Sequence, residues 1–130
     1  MGLQITRLYT GDDGQSHFED RELPLEAIPD VGSMSGRLEA AGVFFRDTSE
    51  GGPEVWDYHV APRRQFVIHL AGTAEIEVGD GTRRTFGPGE VLLADDTTGQ
   101  GHISREVEGP RRQIFVPLAD SVDVLAWPLV

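Results

Sequence analysis

The chain has 130 residues, with 22 acidic and 11 basic side chains, a formal net charge of −11 and no cysteine. Its length suits one domain, and a surface this acidic would be repelled by nucleic-acid phosphates and anionic membranes. The lack of cysteine excludes disulfides, thiolate nucleophiles and sulfur-ligated zinc, and because every basic residue is arginine, Schiff-base chemistry on lysine is excluded too.

The beginning of the chain, MGLQITRLYT, lacks the apolar stretch of a signal peptide. No other run approaches the length needed to cross a membrane. We therefore expect a soluble cytoplasmic protein.

The first third of the chain predicts two strands separated by irregular segments. Residues 3–10 read as an opening strand and residues 16–25 as an extended arm, since Pro24 cannot donate to a central strand ladder. Residues 28–36 read as a loop. A second strand is predicted over residues 37–46, where three apolar side chains follow one another before a turn.

The middle of the chain is a series of short strands joined by tight turns. Residues 65–70 form a run of the type found in buried strands, and residues 74–78 alternate apolar and acidic side chains. Gly79-Asp80-Gly81 has the composition of a hairpin turn. Gly87-Pro88-Gly89 precedes another predicted strand, residues 90–94.

The last third continues the same pattern. Strands are predicted over residues 102–107, 112–118 and 122–125, with a turn at Glu108-Gly109-Pro110. No segment has the periodicity of a useful amphipathic helix. Short strands with turns every eight to twelve residues are typical of an all-β sandwich or barrel.

Two segments of the chain resemble the motifs of the cupin family. The first cupin motif reads His, any residue, His, three or four residues, Glu, six residues, Gly. Counting back from Gly72 places Gln65 at the Glu position, His59 at the first His and Ala61 at the second His. The second motif is matched by Pro88-Gly89-Glu90 and by Gly99 followed by His102.

This resemblance implies an all-β, cupin-type antiparallel jelly-roll β-barrel. It implies a single cupin domain over residues 1–130, with an N-terminal strand and arm (1–36), a barrel core (37–118) and a C-terminal strand (119–130). Alternation along a strand sends Gln65, Val67 and His69 to one face. In the cupin alignment this face borders the cavity.

The resemblance also implies a site in the barrel mouth. Its catalytic residues would be His59, Gln65 and His102, which would also be the ligands of a divalent first-row metal (Fe, Mn, Ni or Zn). No organic cofactor is expected. The substrate-binding residues would be Trp56, Tyr58, His69 and Ser104, with His69 deeper in the cavity, where it either bonds substrate or is a satisfied core histidine.

Several readings of the polar residues near this site stay open. Asp95 and Asp96 either turn the chain, act as a general base, or hold an imidazole in place. The pairs Arg63-Arg64 and Arg83-Arg84 are read as solvated faces that balance nearby glutamates.

Three functions are compatible with these residues. The first, which we favour from sequence, is a metal-dependent enzyme of the oxygenase, lyase or isomerase type acting on a small molecule. The second is a metal-free cupin that works by histidine acid–base catalysis. The third is a small-ligand-binding module without chemistry.

The expected assembly is a homodimer without nucleic-acid or membrane partners. Residues 3–9 and 124–130 are more apolar than the closure of one small barrel requires. We expect these terminal segments to pair across a two-fold axis and cover open sheet edges.

Overall fold

The computed structural model describes residues 2–130, which form ten β-strands and one short 3-10 turn. The strands are β1 (Gly2–Thr10), β2 (Ser16–Pro24), β3 (Glu26–Ile28), β4 (Gly32–Met34), β5 (Phe44–Asp47), β6 (Val55–His59), β7 (Gln65–Glu77), β8 (Arg83–Phe86), β9 (Val91–Asp95) and β10 (His102–Pro117). The 3-10 turn covers Val124–Ala126. The predicted all-β character is confirmed.

Eight of the strands belong to one large mixed sheet. Its main path runs β2-β1-β9-β7-β10-β5, while β6 pairs with β10, β8 pairs with β7, and β3 and β4 form a separate hairpin. All of these pairs are antiparallel except β1–β9, which is parallel, so the prediction of a wholly antiparallel arrangement is wrong at this pair. Within residues 2–130 the strand pairing does not close into a ring.

The two longest strands, β7 and β10, bend at the same place. The ends of β7 pair with opposite ends of β10, and the register shifts between Glu106 and Gln113. At this bend Gly72 has φ +75°, and a Cβ there would lie 2.6 Å from the carbonyl oxygen of Pro110. Only glycine fits both requirements. The predicted turn at residues 108–110 is therefore an irregular section inside one continuous strand.

The predicted alternation along β7 is confirmed. Gln65, Val67 and His69 border a cavity, whereas Phe66 and Ile68 belong to an apolar core on the other side of the sheet. A second apolar core, which includes Val67, lies under the cavity. The sheet thus places one row of side chains from β7 where a ligand can reach them.

Three local predictions are corrected by the structure. The strand predicted over residues 37–46 is only Phe44–Asp47, because the apolar side chains that indicated it are exposed (Phe45 is 77% exposed) and gain nothing from a longer ladder. The segment 122–125 contains a 3-10 turn, where the Asp123 side chain accepts from the Leu125 N–H. The loop predicted at residues 28–36 contains β4 and the last residue of β3, which pair as a hairpin.

Both ends of the described chain join the large sheet. Strand β1 lies between β2 and β9, so both of its edges are paired. The C-terminal segment follows the other edge of β2, with hydrogen bonds from Glu22 N–H to Pro128 O and from Val130 N–H to Asp20 O, each 2.9 Å. Among residues 2–130 no helix is long and apolar enough to cross a membrane.

Candidate functional site: a histidine-lined cavity

A cavity of ≈ 570 Å³ lies in the curve of the large sheet. Side chains from β5, β6, β7, β9 and β10 form its walls, and the segment between β6 and β7 forms part of its rim. The volume is in the range of small-molecule binding sites. Three of the four histidines of the chain, His59, His69 and His102, line it.

His102 is held by a buried carboxylate. Its Nδ1 lies 2.6 Å from Oδ2 of Asp96, whose side chain is fully buried, and Ser16 Oγ donates to the same oxygen at 2.7 Å. Because the carboxylate accepts the proton of Nδ1, the lone pair of a neutral His102 lies on Nε2. The sequence left three roles open for Asp96, and this hydrogen bond supports the one in which it holds an imidazole in place.

His59 lies directly opposite His102. The two residues are register partners at the ends of β6 and β10, and their ring centroids are 4.5 Å apart. His59 Nδ1 donates to the carbonyl oxygen of Asp57 at 2.8 Å, which orients the ring. The two strands approach this closely because Gly101, with φ +80°, packs against the carbonyl group of His59.

The predicted third member of the site, Gln65, is buried in the cavity wall but already has a partner. Its Oε1 accepts a hydrogen bond from Arg63 Nη1 at 2.9 Å. Ala61, in the position of the second cupin histidine, also lines the cavity and is buried. Gln65 is thus near His59 and His102 in the same cavity, but its oxygen is engaged by a cation.

His69 is buried in the cavity wall. Its Nδ1 donates to the carbonyl oxygen of Glu90 at 3.0 Å, and its ring stacks on Phe86 with centroids 5.8 Å apart. Burial lowers the pKa of His69, with the nearby Arg111 acting in the same direction and Glu90 opposing it. It combines the two roles considered from sequence, being satisfied at Nδ1 and facing the cavity.

The remaining predicted residues divide into two groups. Trp56 and Ser104 line the cavity, and the Trp56 ring lies 5.4 Å from that of His59. Tyr58 is not among the lining residues and is 37% exposed. The pairing of β6 with β10 shifts register between Trp56 and His59, so simple alternation does not hold there.

The sequence analysis missed four polar residues of the cavity, namely Arg46, Arg111, Gln113 and Arg63, the last of which it read as part of a solvated face. Arg111 and Gln113 are buried and share a face of β10, and Gln113 is the register partner of Arg46 on β5. The predicted strand began one residue after Arg111, which hid this alternation. Had it begun earlier, period two would have placed Arg111 with Gln113.

These arginines make the cavity positive in an otherwise acidic protein. Arg46, Arg63 and Arg111 all line it, whereas none of its described lining residues is Asp or Glu. Burial lowers the pKa of Arg46, and the neighbouring Arg111 lowers it further, while Glu106 opposes both. The cavity therefore favours an anion.

The same residues suit a divalent metal poorly. The ligands predicted from sequence are two imidazoles and an amide oxygen that Arg63 occupies, and the carboxylate beside His102, Asp96, already accepts two hydrogen bonds. No group of three or more His, Asp or Glu within residues 2–130 is arranged to hold a metal ion. A dication would also enter beside guanidinium groups without a carboxylate to offset the charge.

No protein-family model matches the chain, and no curated protein is significantly similar to it.

Proposed function

We propose that this chain is a cupin-type jelly-roll protein whose cavity acts on a small molecule. The motif residues His59 and His102, far apart in the sequence, are register partners on neighbouring strands. The bent pair β7 and β10 encloses the cavity that both motifs border. This arrangement agrees with the expectation from the cupin resemblance and supports the proposal.

Within this fold, the activity we propose is metal-free acid–base catalysis, such as the isomerisation of a carbonyl compound. The observation that carries it is the bond of 2.6 Å between the buried Asp96 and His102 at the cavity wall. A carboxylate behind an imidazole fixes its tautomer and stabilises the imidazolium that forms when the other nitrogen takes a proton.

The proposed step needs neither an oxidant nor a reductant. His102 Nε2 takes a proton from a carbon next to the ligand carbonyl, so a C–H bond breaks, an N–H bond forms, and the electron pair moves into an enolate. If the deprotonated carbon carries a hydroxyl, the enolate oxygen takes the hydroxyl proton and the former carbonyl carbon takes the proton from His102 Nε2, which makes the hydroxyl carbon the new carbonyl and completes an isomerisation. Return of the proton to the other face of the original carbon completes an epimerisation instead. Because His59 Nδ1 donates to Asp57 O, a neutral His59 carries a lone pair on Nε2, and the guanidinium groups of Arg46 and Arg111 are the cavity donors that stabilise the developing oxyanion.

The metal-dependent enzyme favoured from sequence remains a competing hypothesis. It is supported by the close approach of His59 and His102, and opposed by the arginines and the engaged Gln65. Elemental analysis of protein purified without chelator or nickel resin distinguishes the two. Stoichiometric metal that is lost in both His59→Ala and His102→Ala would replace our proposal by the metal-enzyme hypothesis.

The test of acid–base catalysis is exchange of ligand protons with solvent. Metal-free protein is incubated in D₂O with a panel of aldoses, ketones and oxo-acids, and ¹H NMR follows the C–H signals next to the carbonyl. We expect exchange of at least one compound, loss of that exchange in His102→Gln, and a decrease of about 100-fold in Asp96→Asn. Exchange that is absent for every compound, or unchanged in His102→Gln, would leave a ligand-binding module.

A further inference from the structure

The part of the cavity wall beside His69 carries two guanidinium groups, those of Arg46 and Arg111. Arg111 is 3% exposed, and its Nε donates to Glu106 Oε1 at 2.9 Å. Arg46 forms no ion pair with any described carboxylate, and its guanidinium lies over the Trp56 ring at 4.5 Å. Two cations and one carboxylate leave one positive charge beside the cavity.

A buried polar atom without a partner lies next to these cations. Gln113 is 4% exposed and lines the cavity, yet its Oε1 has no hydrogen-bond partner among the described residues. Its register partner on the neighbouring strand β5 is Arg46. A buried acceptor of this kind is costly to leave unpaired, so a hydroxyl group of a ligand would offset the cost.

The rest of the wall is apolar. Phe115 and Val67 line the cavity, and the Trp56 ring contacts both the Arg46 guanidinium and the His59 ring. A ligand that fills this space needs an apolar body as well as a charged group.

From these three features we propose that the cavity binds a small monocarboxylate with an apolar body and a hydroxyl group next to the carboxylate. Arg46 and Arg111 bind the carboxylate, Gln113 accepts from the hydroxyl, and the aromatic side chains contact the body. In this orientation, the carbon next to the carboxylate points along the Trp56 ring toward His59 and His102. This inference names the ligand class of the proposed small-molecule site and so rests on that proposal.

The charge of the wall favours a carboxylate over a phosphate. Planar guanidinium groups bind both anions through paired hydrogen bonds. A phosphate monoester carries nearly two negative charges at neutral pH, however, whereas Arg46, Arg111 and Glu106 together carry one positive charge. The third lining arginine, Arg63, donates to Gln65 and lies over the Phe44 ring instead. One carboxylate balances the wall without excess charge.

The test compares four probes with the metal-free wild-type protein by isothermal titration calorimetry. They are mandelate, phenylacetate without the hydroxyl, mandelamide without the charge, and phenyl phosphate. We expect mandelate to bind at least about tenfold more tightly than each of the others, since each lacks one charged or polar contact or carries excess charge. Equal affinity for mandelate and mandelamide, or no mandelate binding at millimolar concentration, would overturn the inference.

Matched variants locate the binding site. Arg46→Gln removes the unpaired cation and is expected to weaken mandelate binding by about tenfold or more. Arg112→Gln is the control, because Arg112 on the neighbouring strand β10 is an arginine that is exposed and paired with Asp47. Equal effects of the two substitutions would show that the carboxylate is held elsewhere. Circular dichroism verifies that each variant is folded.

The two proposals can fail separately. If mandelate binds in an Arg46-dependent manner but no compound exchanges protons with D₂O, the anion site stands and the acid–base activity is wrong. If neutral carbonyl compounds exchange in a His102-dependent manner while mandelate binds no better than mandelamide, the activity stands and the anion site is wrong.

Discussion

At the scale of single residues, the hydrogen bonds that Asp96 accepts stabilise the fold and determine which nitrogen of His102 carries the lone pair. One carboxylate oxygen accepts from Ser16 Oγ and His102 Nδ1, so it joins β2 to the start of β10. The other oxygen, Oδ1, has no described partner. Both bonds are fully enclosed, and water cannot replace them if the carboxylate is removed.

The first prediction is that Asp96→Asn lowers the free energy of unfolding by roughly 2–4 kcal/mol, because it removes the charge behind two buried hydrogen bonds. Urea denaturation of both proteins at neutral pH measures the difference. Asp95→Asn is the matched control, since Asp95 pairs with Arg7 at a partly exposed position and its replacement should cost about 1 kcal/mol. Equal losses in the two variants would contradict a special role for Asp96.

A second residue-scale prediction concerns pH. Burial lowers the pKa of His69, so the folded chain binds a proton at this ring less readily than the unfolded chain does. The contribution of His69 to stability is therefore complete above the unfolded pKa of about 6.5 and decreases as the pH falls from that value toward the folded pKa.

Replacing His69 by Gln should make stability less dependent on pH in this range. The slope that one proton adds is at most about 1.4 kcal/mol per pH unit. Urea midpoints of the wild type and His69→Gln at several values between pH 5 and pH 7 measure the two slopes. Parallel curves would show that His69 does not take up a proton on unfolding.

At the scale of elements, the site depends on how closely β6 approaches the start of β10. Gly101 makes that approach: it has φ +80°, and a Cβ there would collide with the carbonyl oxygen of His59. Its lack of a side chain therefore permits the pairing of His59 with His102.

We predict that Gly101→Ala lowers the free energy of unfolding by more than about 3 kcal/mol and separates the two histidine rings, because backbone strain and a clash with backbone add together. Gly81→Ala is the control, since Gly81 has φ +89° but open space around it and should show only the strain of about 1 kcal/mol. Denaturant unfolding and the imidazole NMR shifts of both variants measure these effects. A cost no larger than that of the control would contradict this account.

At the scale of the whole molecule, the homodimer stays a prediction, but the surface that we expect to form its interface differs from the terminal segments predicted from sequence. The terminal segments are already paired with β2 and β9 of the same chain. Strand β5 is the end of the sheet path and carries the 77% exposed Phe45 next to the 53% exposed Val43. An open edge with exposed apolar side chains favours pairing with a second copy.

We therefore expect a dimer at micromolar concentration that pairs through β5. Phe45→Ser should shift it to monomer in sedimentation velocity, because it removes the most exposed apolar side chain of that edge. Val31→Ser, at the exposed turn of the hairpin β3–β4, should leave the dimer intact. A wild type that is monomeric throughout, or equal behaviour of the two variants, would contradict this interface.

The sequence by itself determined the strand-rich character, the alternation along β7 and the identity of the central histidines. These follow from local rules: side chains alternate along a strand, and a turn that contains glycine together with proline or aspartate ends the strand. His59, His69, His102 and Trp56 therefore lie in the cavity that the motifs predicted.

Only the tertiary structure decided which polar residues share the cavity with them. Arg46 and Arg111 are distant in the sequence, and they meet because β5 pairs with the second half of the bent β10. Long-range pairing likewise brings β1 into parallel contact with β9 and Asp96 into hydrogen bonding with His102. A local pattern contains no information on the register between distant strands, since that register is fixed by the burial of whole faces at once.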